Sequence, residues 1–180
     1  MRFFNTAGPV NCQDHYCLPP LSRFDLPEIL SLISQKKYFV LHAPRQSGKT
    51  SCLLACSDYL NKQGDYCALY TNVEAGQAAR EDVNLAMRAI LFGMLQRFEI
   101  NFPNLVITDD LEQLILKHGP YGAMGAFFSL LSDRLEKPFI LMIDEIDSLI
   151  GDTLISVLRQ IRAGYDTRPG NFPSSVILCG

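Results

Sequence analysis

An apolar run, Tyr38-Phe39-Val40-Leu41, leads directly into Ala43-Pro44-Arg45-Gln46-Ser47-Gly48-Lys49-Thr50, and a helix-forming segment follows from Ser51 to Leu60. Strand, short loop, Gly-Lys-Thr and helix is the layout of a phosphate-binding P-loop. The residue types follow from the task. Successive backbone N–H groups wrap phosphate oxygens, and the helix N-terminus adds about half a positive charge. Gly48 lets the backbone come close, Lys49 reaches the outer phosphates, and the Thr50 hydroxyl is suited to Mg²⁺. One position departs from the pattern: Ala43 stands where the motif has its first glycine. Alanine is tolerated there if its φ is negative.

A second stretch supplies the complement. Phe139-Ile140-Leu141-Met142-Ile143-Asp144-Glu145 is a fully apolar run ending in two acids. Such a run reads as a strand buried on both faces, whose carboxyl end projects into the ligand crevice of a parallel sheet. This is the Walker B arrangement. Asp144 supports the Mg²⁺ shell together with Thr50, and Glu145 is placed to activate an attacking water. The candidate catalytic residues are therefore Glu145 and Lys49. The phosphate-binding residues are Ala43, Pro44, Arg45, Gln46, Ser47, Gly48, Lys49, Thr50 and Ser51, and the metal residues are Thr50 and Asp144. Asp147 is an alternative base, one turn further on.

Composition narrows the function classes. The chain has 180 residues, 48% of them apolar and 19% charged, enough for a proper core and unlike a disordered segment. A net charge of −3 gives no general attraction to nucleic acid. No apolar run approaches the ~20 residues of a membrane span, and the N-terminus turns polar too soon for a signal peptide. A cytoplasmic location and six free thiols are the corresponding expectations. Cys12-x-x-His15-x-Cys17 is the one metal-like cluster, without a clear fourth ligand.

The rest of the chain alternates strands and helices. Residues 1–24 read as a loop-like arm in which Tyr16, Pro19 and Pro20 offer either a stacking surface for a base or a plain cover for the core. Asp25 and Glu28 form a capping-box pattern ahead of a helix carrying Leu26, Ile29, Leu30 and Ile33. A strand over 66–72 ends before Glu74, which either touches a ligand or simply leads a helix. Residues 80–136 read as a helical insertion: one long amphipathic helix through Phe98, a shorter one over 110–117, and a third from Met124 to Leu135. A helix over 152–163 presents Leu154, Ile155, Leu158 and Ile161 inward, and the last strand covers 175–179. Arg159, Arg162 and Arg168 are arginine-finger candidates, with a solvated face as the alternative.

The pair of motifs, with Asn5-Thr6-Ala7-Gly8-Pro9-Val10, His15-Tyr16 and Pro19-Pro20-Leu21 at the start, resembles the bacterial AAA-like P-loop ATPases related to the AAA+ and STAND groups. The resemblance implies a three-layer α/β/α fold, a parallel sheet of order 5-1-4-3-2, and ATP rather than another nucleotide. This chain supplies strands one to four. Strand five, the polar sensor after strand four and the helical lid are not found in it, which reads as a truncated ATPase core over 25–180. The expected activity is Mg²⁺-dependent ATP binding and hydrolysis, with a protein partner or self-association. Rival readings are a nucleotide-gated scaffold with little turnover, a small-molecule kinase, and a DNA-remodelling ATPase; the last lacks a DNA-binding motif.

Overall fold

Side chains alternate between the two faces of a strand, so a sheet buried on both sides needs two separate cores. The computed structural model, which describes residues 2–6, 11–44 and 46–180, has that arrangement. Strands β1 (Tyr38–Leu41), β2 (Cys67–Asn72), β3 (Phe139–Asp144) and β4 (Ser175–Cys179) form one fully parallel sheet in the order β1-β4-β3-β2. Leu69, Phe139, Leu141, Ile143 and Val176 point into one core, while Ala68, Tyr70, Ile140, Met142, Ile177 and Cys179 point into the other. Helices α1 (Leu26–Ser34) and α2 (Lys49–Gln63) cover the second core. Helices α3 (Val83–Asn101), α4 (Thr108–His118), α5 (Ala123–Arg134) and α6 (Gly151–Ala163) cover the first. The fold is thus the expected three-layer α/β/α, with the expected order of strands one to four.

Local signals set most element ends. Asp25 accepts the Glu28 N–H at 3.2 Å, the first half of the capping box. Helix α2 ends at Gly64 with φ +82°, where its N–H bonds the Leu60 carbonyl. The insertion contains the three expected helices, with Val83, Met87, Ile90, Leu91, Met94, Leu95 and Phe98 all buried along α3.

Packing overrode three expectations. Helix α6 is turned so that Thr153, Ser156, Val157, Gln160 and Ile161 face inward, leaving Ile155 47% and Leu158 38% exposed. The inward polar groups are bonded: Thr153 donates to the Arg80 carbonyl at 3.0 Å, and Gln160 bonds the first turn of α5, the Pro120 carbonyl and Ser156. Cys12 and Cys17 are not free thiols or metal ligands but a disulfide with Cα atoms 5.4 Å apart, brought together by a turn in which Asp14 and His15 donate to the Asn11 carbonyl. His15 Nδ1 accepts the Asn11 N–H. Arg168 is no free finger. Its guanidinium donates to the carbonyls of Tyr165, Lys36 and Ser174 and lies over the rings of Tyr38 and Tyr165. Arg159 and Arg162 are exposed.

Candidate functional site

The carboxyl ends of all four strands open on one cleft of about 1290 Å³. The P-loop forms its floor. Gln46 has φ +61° and Gly48 φ +87°, and among the described non-glycine residues with positive φ Ala43 is absent, so a glycine is not needed there. Gly48 is favoured by its left-handed backbone, and a Cβ there would stand 3.3 Å from Nη1 at the tip of the Arg23 side chain. Helix α2 begins at Lys49, so its first unpaired N–H groups face the cleft beside the loop. Ala43, Pro44, Gln46, Ser47, Gly48, Lys49, Thr50 and Ser51 all line it. Arg45, counted in the same loop, lies outside the described residues, as do Ala7 to Val10 of the arm.

The metal candidates, far apart in sequence, meet. Thr50 Oγ1 donates to Asp144 Oδ2 at 2.6 Å. Asp144 is fully buried, and its Oδ1 accepts the N–H of Glu145 at 3.1 Å. The Lys49 ammonium bends back over the loop to the Ala43 carbonyl at 2.8 Å. Ser47 Oγ is buried in the loop without a hydrogen-bond partner, an unmet polar group beside the cleft. Among the described residues no group of three His, Cys, Asp or Glu side chains is placed to hold a metal ion. The donor set fits Mg²⁺, which is held by one or two protein oxygens and completes its shell with water and phosphate.

Glu145 stands at φ +58°, ψ +37°, a left-handed conformation that costs a non-glycine residue about 1–3 kcal/mol and is concentrated at functional positions. Its carboxyl pKa is pushed up, first by burial and then by the neighbouring charges of Asp144, Asp147 and Glu74, while Lys49 pulls it down. Glu74 and Asp147 both line the cleft, so the alternative base and the residue beyond β2 are at the site. Glu74 also opens a short 3-10 helix, Glu74–Ala79, in which its N–H is taken by Asn72.

The arm walls the far side. Asn5, Thr6, Tyr16, Cys17, Leu18 and Pro20 line the cleft; of the three residues read as either a stacking surface or a cover for the core, Tyr16 and Pro20 border it and Pro19 is not among the lining residues. Four contributors escaped sequence reasoning. Arg23 donates to the Ser47 carbonyl at 2.8 Å and sets a cation over the loop. Arg97 of α3 reaches the cleft with its guanidinium 5.6 Å from the Tyr70 ring centre. Tyr70 donates to Asp144 Oδ2 at 3.0 Å. The Cys179 thiol faces the same carboxylate, and burial together with Asp144 pushes its pKa up to about 12. None lies in a motif; only the predicted closeness of the strand ends could have drawn attention to Tyr70 and Cys179.

No family model matches the chain, and no curated protein matches it by sequence. Among solved structures it is similar to a chain in the structure of Drosophila ORC bound to poly(dA/dT) DNA and Cdc6. The TM-score is 0.53 at 12% identity, over 86% of this chain. The chain spans 24% of the length of that ORC chain. At this identity the likeness concerns the fold, a parallel α/β sheet of P-loop type.

Proposed function

We propose that this chain binds Mg²⁺·ATP and hydrolyses it, with Lys49, the loop amides and Thr50 on the phosphates and metal and Glu145 as the base. The contact between Thr50 and Asp144, 2.6 Å across two distant segments, carries the reading. It brings a hydroxyl and a carboxylate together at the N-terminus of a helix, beside a lysine and an unmet serine hydroxyl. When bound, Mg²⁺·ATP supplies the electrophilic phosphorus and the counter-charge for its oxygens. The protein's part is positional and electrostatic. Lys49 gives up the Ala43 carbonyl for phosphate oxygens, and Arg23 adds a second cation over the loop. The raised pKa of Glu145 makes it a better proton acceptor than an ordinary carboxylate. Tyr16, Leu18 and Pro20 offer an apolar wall for a base. Adenine rests on the sequence resemblance.

Calorimetric titration with Mg²⁺·ATP tests the reading. Saturable binding is expected in the wild type, and Lys49→Ala is expected to weaken it by about 10–100-fold, the worth of hydrogen bonds to a charged group. Glu145→Gln should bind as the wild type does and release no phosphate. A folded wild type that takes up no nucleotide overturns the proposal.

A further inference from the structure

Asp144 is held more tightly than the two motifs require. It is fully buried, and each carboxylate oxygen has a donor: the Glu145 N–H on Oδ1, and both Thr50 Oγ1 and Tyr70 OH on Oδ2. Of the two hydroxyls, Thr50 is the one with a second task, because its oxygen is the group offered to the cation. Tyr70 has no such task. It is 4% exposed, in mid-β2, two residues before the Asn72–Asp144 register pair. Its phenol is the side chain that reaches sideways from β2 to the acid at the end of β3. A buried tyrosine hydroxyl needs a partner, and here that partner is the carboxylate itself. The Arg97 guanidinium of α3 stands 5.6 Å from the centre of the same ring.

We infer that Tyr70 is a positioning residue for the metal: its hydroxyl pins Asp144 in the one orientation in which that carboxylate faces the Thr50 hydroxyl and the incoming Mg²⁺. The inference rests on the proposal that this cleft binds Mg²⁺·nucleotide. The physical reason is preorganisation. A carboxylate free to rotate has to be ordered when the cation arrives, and that cost appears as weaker metal binding. A residue that served only to fill β2 would have no such effect, because phenylalanine fills the same space.

Tyr70→Phe removes one oxygen and keeps the ring under Arg97. Nucleotide binding is measured by calorimetry, first with EDTA and then across a Mg²⁺ titration, with thermal melting as the check on folding. The expected result is that metal-free affinity stays within about twofold of the wild type, while the Mg²⁺ concentration giving half of the metal-dependent gain rises about tenfold, the size of one hydrogen bond to a charged group. An unchanged Mg²⁺ midpoint in a folded Tyr70→Phe overturns the inference and leaves the nucleotide reading standing. An equal loss with and without Mg²⁺ also overturns it, since that marks a general structural defect. If the wild type binds no nucleotide under either condition, the underlying reading fails and this one falls with it.

Discussion

Gln160 shows how much one buried amide can organise. It is 5% exposed on α6, and its Oε1 accepts the N–H groups of Met124 and Gly125 at 3.0 and 3.2 Å. Its Nε2 donates to the Pro120 carbonyl and the Ser156 hydroxyl at 3.0 and 3.1 Å. Gly122, the N-cap of α5, has no side chain to cap the helix, so Gln160 caps it from a different helix. Gln160→Ala strands those partners in the core and is expected to cost about 2–3 kcal/mol. Urea unfolding with an unchanged slope checks this, and a loss below about 0.5 kcal/mol would show that water replaces the amide. Neither this cap nor the Tyr70 bond was legible in the chain, because a polar residue's partner from another element leaves no local pattern. The strand–loop–helix turn over 43–50 was legible because its signal is local: eight consecutive residues carry it.

Helix α6 shows where periodicity misleads. Its apolar residues Leu154, Ile155, Leu158 and Ile161 trace one stripe, yet the buried stripe is Thr153, Ser156, Val157, Gln160 and Ile161. Thr153 bonds the Arg80 carbonyl, and Gln160 bonds the N–H groups of Met124 and Gly125 and the Pro120 carbonyl, contacts with other elements that hold this rotation of the helix. Leu158→Gln is therefore expected to change stability by less than about 0.5 kcal/mol, while Ile161→Ala, 4% exposed, costs about 2–4 kcal/mol. Chemical denaturation of the two variants side by side separates the two rotations; a costly Leu158→Gln would restore the apolar stripe as the inner face. Helices α1, α2 and α3 were read with the right face because their inward residues are nearly all apolar. Their ends were read from Asp25, Gly64 and the break at Phe102-Pro103, each a backbone effect confined to a few residues.

At the scale of the whole molecule, the four free cysteines behave as core residues, not as reactive groups. Cys52, Cys56 and Cys179 are buried and Cys67 is half-buried, and burial is the leading reason that all four thiol pKa values are raised. Cys56 moves from 9.0 to about 12. The folded state thus holds these protons more tightly than the unfolded state. Their stabilising effect is complete below pH 9, declines as pH rises past the unfolded value, and is lost above the folded one. Stability measured by urea unfolding is expected to fall between about pH 9 and pH 12, and Cys56→Ala is expected to flatten that fall while lowering stability at neutral pH. A pH profile in Cys56→Ala parallel to the wild type would overturn this. The same scale explains the sheet: among the described residues β1 pairs only with β4, and Val40 on it is 66% exposed. Among the described residues no helix is long and apolar enough to cross a membrane.

The family resemblance supplied the fold class and the order of the strands, and residue type and spacing laid out the strand-and-helix order, the strand–loop–helix turn over 43–50 and the pair of acids after β3. Each of these is written in contiguous residues, where backbone freedom, hydrophobic period and helix-end charge act over a few positions. Packing settled the rest. It brought Thr50 to Asp144, set Tyr70 and Cys179 against that acid, put Arg97 beside the Tyr70 ring, laid Arg23 over Gly48 and locked Arg168 under the sheet edge. These contacts join segments whose separation along the chain carries no information about their distance in space. They follow from which strand lies beside which and how each helix is rotated, quantities that the sum of the two cores determines and no single stretch encodes.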